Sequence, residues 1–161
     1  MFNLTIMNLK RFLAIAVLSL MSFQGFASHL LGGEIVWKCK PNGKYQFTLV
    51  LYRECGGITL PTSAQSLATN AGVSISCAFI STTDVVPSCY TGTTTCAGAT
   101  SGTGKMQKYV YRSGDITLTG TPPASGWYFT WSSCCRPSSI TNVVSPGGAS
   151  YLLRAIMYPY T

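Results

Sequence analysis

The 161 residues include only one histidine, His29, and four acidic residues, Glu34, Glu54, Asp84 and Asp115. That scarcity excludes much. A nucleophilic cysteine needs a base beside it to form its thiolate, and a glycosidase needs two apposed carboxyl groups. Glu34 and Glu54 share the polar side of a predicted hairpin but fall about four positions apart along its ladder, where solvation accounts for them. Zinc chemistry is equally short of ligands. Cys134 and Cys135 are adjacent, without the spacer that lets two thiolates converge on one ion. A histidine at a mature N-terminus, as some copper enzymes use, has no second histidine to join it. No catalytic residue, metal site or cofactor is expected.

Also missing is an apolar run of the roughly 20 residues that a membrane-spanning helix needs. The longest, Phe12 to Met21, follows Lys10 and Arg11 and is followed by small residues at Gly25 and Ala27. This is the layout of a cleaved export signal. Residues 1–27 are read as the signal peptide, cleaved between Ala27 and Ser28, with Met7 as a second candidate start. Residues 28–161 then form a single extracellular domain without a transmembrane segment, secreted or held at the outer cell surface. The chain carries a net charge of +7. Beyond residue 27 its basic residues, Lys38, Lys40, Lys44, Arg53, Lys105, Lys108, Arg112, Arg136 and Arg154, are scattered rather than gathered into the stripe that nucleic acid requires. Nucleic acid is not an expected partner. Cell-envelope or extracellular polysaccharide, or other surface proteins, are.

What the chain does have is alternation and cysteine. In "EIVWKCKPNGKYQFTLVLYREC", residues 34–55, apolar side chains occupy odd positions on both sides of Pro-Asn-Gly. This is a half-buried antiparallel hairpin. A three-residue loop at Pro41 to Gly43, with Gly43 left-handed, places Trp37 opposite Phe47 and keeps the apolar sides together. Residues 56–72 read as a connection, Val73 to Ile80 as a third strand, and residues 81–104 as a loop pinned by its cysteines. "QKYVYRSGDITLTG" gives a strand or hairpin, "WYFTWSS" a strand, and "SYLLRAIMYPY" the last. No helical periodicity interrupts them. The class expected is an all-β antiparallel sandwich, Ig-like and disulfide-stabilised.

All seven cysteines, Cys39, Cys55, Cys77, Cys89, Cys96, Cys134 and Cys135, are disulfide candidates in an exported chain. Strand parity puts Cys39, Cys55, Cys77 and Cys135 on apolar faces and Cys89, Cys96 and Cys134 in loops or outward, so neighbouring Cys134 and Cys135 diverge. Two buried bridges, one surface bridge and one thiol left over is the simplest partition. Trp37, Trp127 and Trp131 are expected in the core, whereas Tyr52, Tyr90, Tyr109, Tyr111, Tyr128, Tyr158 and Tyr160 are free to form a surface.

"SHLLGGEIVWKCKPNGKYQFTLVLYREC" directly after a signal peptide resembles the mature start of large exported Bacteroidota proteins. "WSSCCRPSSITN" is similar to the same family's Cys-Cys-Arg motif. The family's usual asparagine after that motif is replaced here by Pro137-Ser138-Ser139. The likeness covers residues 28–161 and implies an N-terminal module of a gliding-motility-associated or type IX secretion protein, with no catalytic residues. It marks Arg136 and Asn142 for a structural polar role beside the cysteines. The function expected is a non-enzymatic structural or adhesive module. The alternative is a carbohydrate-binding module of a secreted polysaccharide-degrading enzyme.

Overall fold

A computed structural model describes residues 30–86, 95–98, 104–134, 136 and 140–159. The export signal, its cleavage point at Ala27 and Ser28, His29, Cys89, Tyr90, Cys135 and Tyr160 lie outside the described residues. Seven strands run in the order β1 (Leu30–Cys39), β2 (Tyr45–Glu54), β3 (Gln65–Thr69), β4 (Ile75–Val85), β5 (Met106–Ser113), β6 (Trp127–Ser133) and β7 (Tyr151–Met157), with one 3-10 turn at Pro146–Gly148. They form an antiparallel sheet ordered β1-β2-β5-β4-β3-β6-β7. Because β2 lies beside β5 rather than β3, strands β2 to β5 make a Greek key. The sheet curls nearly into a barrel, and the Tyr151 hydroxyl on β7 donates to the Leu31 carbonyl on β1 at 3.2 Å.

The first hairpin takes the expected register, with Trp37 opposite Phe47 and Cys39 opposite Tyr45. Its loop is Pro41 to Gly43: the Gly43 amide donates to the Lys40 carbonyl at 3.0 Å, and Gly43 has φ 74. Glycine serves here because a left-handed residue after a type I turn carries no β-carbon to clash. Odd positions then point inward. Phe47, Leu49 and Leu51 are fully buried beside Ile75 and Cys77 of β4 and Tyr111 of β5. From β6, Trp127, Phe129 and Trp131 enter the same core as alternation predicts. Phe47 and Phe129 lie with ring centroids 4.5 Å apart, joining β2 to β6 across the interior.

Several expectations need correction. Residues 56–72 are more than a connection, since β3 pairs with β4 through Gln65 to Leu67 and with β6 through Ala68 and Thr69. Its one buried apolar side chain, Leu67, is too little pattern to announce a strand. The strand exists because two neighbours pair with it. β4 runs to Val85, past the expected loop boundary, by way of a bulge between Phe79 and Ser81. The bulge absorbs Ile80, so Ala78 and Ser81 can both stand beside outward residues of β5. Past Ser113 there is no hairpin within β5; an isolated bridge joins Ile116 to Tyr45. Tyr109 and Tyr111, expected at the surface, are buried. Their alternation with Lys108, Val110 and Arg112 already marks them as an inward row.

Candidate functional site

At the end of β2 a disulfide and a buried arginine lie together. Cys55 is bonded to Cys96, with α-carbons 5.1 Å apart and 41 residues between them in sequence. The buried Arg53 sits beside this bridge. Its Nε and Nη2 donate to Gln107 Oε1 at 2.9 and 2.6 Å, and its Nη1 donates to the Gly57 carbonyl at 2.7 Å. Gln107 Nε2 in turn donates to Asp84 Oδ1 at 2.8 Å, and Asp84 Oδ2 accepts the Cys96 amide at 2.9 Å. A buried guanidinium is costly unless it is hydrogen-bonded, and here each of its three nitrogens donates. The chain of bonds ties β2, β4 and β5 to the segment carrying Cys96. It is a brace, with its polar atoms turned to each other.

The remaining cysteines depart from the expected partition. Cys55, from an apolar face, pairs with loop residue Cys96, while Cys39 and Cys77 carry free thiols. Cys39 is exposed because the strand's last residue stands at the sheet edge beyond the core. Cys77 is fully buried, and burial pushes its thiol up to about 11, so it stays neutral and inert. Cys134 is exposed, as parity predicts, and is disulfide-bonded. Its neighbour Cys135 lies outside the described residues, and so does the expected divergence of the two. Arg136 does take a structural polar role. Its Nε donates to the Ser150 carbonyl at 3.2 Å and its guanidinium lies 4.9 Å from the Tyr151 ring centroid, fastening the turn before β7.

A groove of about 370 Å3 opens where the β1–β2 hairpin, the segment after β5 and the end of β7 meet. Trp37, Tyr45, Leu118, Pro122, Trp127 and Tyr158 contribute to its walls. Backbone pairing positions them: the amides of Tyr45 and Ile116 each donate to the other's carbonyl at 2.8 Å. Aromatic walls suit a ligand with apolar faces. The tryptophans, however, are largely committed to the core. Trp37 packs on Phe129 at 5.9 Å and Phe47 at 6.5 Å, and Trp127 and Trp131 are each 8% exposed. Trp131 also donates its indole N–H to Gln65 Oε1 at 3.2 Å.

Among the described residues, no three His, Cys, Asp or Glu side chains gather as a metal site requires, and no helix is long and apolar enough to cross a membrane. The chain matches no protein family, no curated protein and no solved structure.

Proposed function

We propose that the chain is a non-enzymatic structural or adhesive module of a secreted or cell-surface bacterial protein, exported through a cleaved signal peptide. The observation that carries this reading is the Cys55–Cys96 bridge. Such bonds persist in oxidising compartments and are rare in a reducing cytosol. The seven cysteines and the apolar run after Lys10 and Arg11 support the same compartment. The likeness to exported Bacteroidota proteins adds gliding motility and type IX secretion to the reading.

An Ig-like sandwich is the finer class we propose. In support, β1-β2-β5-β4 followed by β3-β6-β7 has the strand order of the two immunoglobulin sheets, ABED and CFG. Phe47 on the second strand and Phe129 on the sixth meet where antibody domains place their inter-sheet disulfide. Apolar ring packing would then replace that covalent link.

The test is expression in a Bacteroidota host with the native leader, followed by fractionation, N-terminal sequencing and non-reducing peptide mapping. A surface or medium location, a mature start at Ser28 and a Cys55–Cys96 cross-linked peptide are expected. A reduced cytoplasmic chain that keeps residues 1–27 would overturn the proposal. The carbohydrate-binding alternative draws on the aromatic groove. Burial of Trp127 and Trp131 weighs against it, because a stacking platform needs open ring faces.

A further inference from the structure

Folding gathers cations that the sequence scatters. With odd positions of β1 and β2 turned into the core, even positions form the outward face of the sheet. On that face Lys38 is the cross-strand partner of Gln46, and Thr48, two residues on, is paired with Arg112 of β5. Lys44 precedes Gln46 by two residues and is bonded through its carbonyl to the Lys40 amide at 2.8 Å. Gln46 therefore has Lys38 and Arg112 at neighbouring sheet positions, with Lys44 just before the strand. Lys38 stands directly opposite at about 5 Å between β-carbons, and Arg112 lies diagonally at about 7–8 Å. Lys44 lies just before β2, two residues from Gln46, so at most about 7 Å separates their α-carbons.

Close ion pairs leave these charges out. Among the described residues, neither Lys38, Lys44 nor Arg112 makes an ion pair; the acid at this end, Asp115, is bonded to Lys40 and acts on Lys44 only through its field. Glu34 shares the face but stands four residues from Lys38 along β1, roughly 13 Å away. None of the three is directly opposite another, so they repel only through their field, which solvent and salt weaken. An anionic ligand would relieve that repulsion. The surroundings also suit a sugar chain. Gln46 has its amide fixed by a 3.3 Å bond from Nε2 to the Ser113 carbonyl, Thr48 offers a hydroxyl, and Val36, 45% exposed, lies in the rung of Thr48 and Arg112.

We infer that this face binds an acidic polysaccharide, its carboxylates on Lys38, Lys44 and Arg112, its hydroxyls on Gln46 and Thr48, and its C–H faces against Val36. This inference rests on the surface assignment above and supplies the adhesive ligand. Single-stranded nucleic acid calls for exposed aromatic platforms, which the cluster does not contain. A membrane surface calls for a protruding apolar element, whereas Val36 stands within a flat strand.

The experiment is affinity electrophoresis of the purified, oxidised chain in gels containing polygalacturonate, with neutral dextran as the reference. Retardation by polygalacturonate alone is expected. It should weaken as ionic strength rises from about 0.01 M to about 0.15 M, where the screening length falls from about 30 to about 8 Å. The Lys38→Ala, Lys44→Ala, Arg112→Ala triple variant should bind roughly tenfold more weakly or worse. Arg154→Ala, which removes a cation from β7, should bind as the parent does. Circular dichroism confirms that each variant is folded; if the triple variant is not, Arg112→Gln alone must still weaken binding. Undiminished binding by the folded variant, equal retardation by dextran, or tighter binding to oligo-dT or phosphatidylglycerol vesicles would overturn the inference. Binding that persists while fractionation finds a cytoplasmic chain sinks the surface assignment and leaves this face intact. Surface location without binding does the reverse.

Discussion

Phe47 and Phe129 have no solvent exposure and meet at the centre of the core. Cutting either back to alanine removes a ring that its neighbours cannot refill. Phe47→Ala or Phe129→Ala is expected to lower stability by about 3–5 kcal/mol, read from the urea midpoint at unchanged slope. Cys77 belongs to the same interior. A thiol reagent applied to the native protein should modify Cys39 at once and Cys77 only after unfolding. Burial also raises Cys77 from 9.0 to about 11, and burial together with the neighbouring Tyr109 raises Tyr111 from 10.0 to about 12. In both groups the folded state holds its proton more tightly than the unfolded state. Their contribution is therefore complete below pH 9, falls as pH rises, and is gone above the folded values. Denaturation followed across that range should show stability declining with pH, and Cys77→Ala should flatten the first part of the decline whatever its effect on the starting level. Tyr109 and Tyr111 were legible as inward residues from their alternation. Cys39 was not legible as exposed, because alternation assigns a face and says nothing of how far the core extends along a strand.

At the level of elements, the β1–β2 hairpin is secured at its tip. Asp115 accepts from Lys40 and from Asn42, whose Nδ2 lies 3.3 Å from Oδ2, and these bonds hold its carboxyl below the ordinary carboxylate range. A depressed acid contributes stability above its unfolded pKa and loses it as pH falls through the folded value. Lys40→Met should therefore move the Asp115 titration, followed by carboxyl NMR, back toward an ordinary carboxylate. Further down the hairpin, β1 needs glycine at position 33. A β-carbon there would stand 2.5 Å from the Val50 carbonyl and 2.7 Å from Leu153 Cδ1. Gly33→Ala should therefore loosen the contact between β1 and β7 and lower the thermal midpoint, whereas alanine at exposed Gly114, which meets nothing within 4 Å, should not. The register of this hairpin was readable because apolar period, loop length and Gly43 all agree. β3 was not, since five residues with one buried apolar side chain carry less signal than the two strands that capture them.

For the molecule as a whole, the Cys55–Cys96 bridge joins parts of the chain 41 residues apart, spanning β3 and β4. Replacing both cysteines by serine frees that loop in the unfolded chain and is expected to cost about 2–4 kcal/mol, measured by denaturation beside the oxidised parent. The Arg53–Gln107–Asp84 bonds should persist without it and keep the strand pairing. Collapse of the sheet on loss of the bridge alone would show that the polar brace cannot hold that end. The gathering of Lys38, Lys44 and Arg112 exists only at this scale, because Arg112 is far from both in sequence and reaches them by the Greek-key path that sets β5 beside β2.

By itself the sequence determined strand character, the parity of the first hairpin and of β6, and the left-handed glycine, because each depends on residues within one pleat period or one turn. The tertiary structure alone decided which cysteines meet, that β3 is a strand, and which cations share a face. Those depend on which distant segments become neighbours, and a one-dimensional period of two carries no information about that.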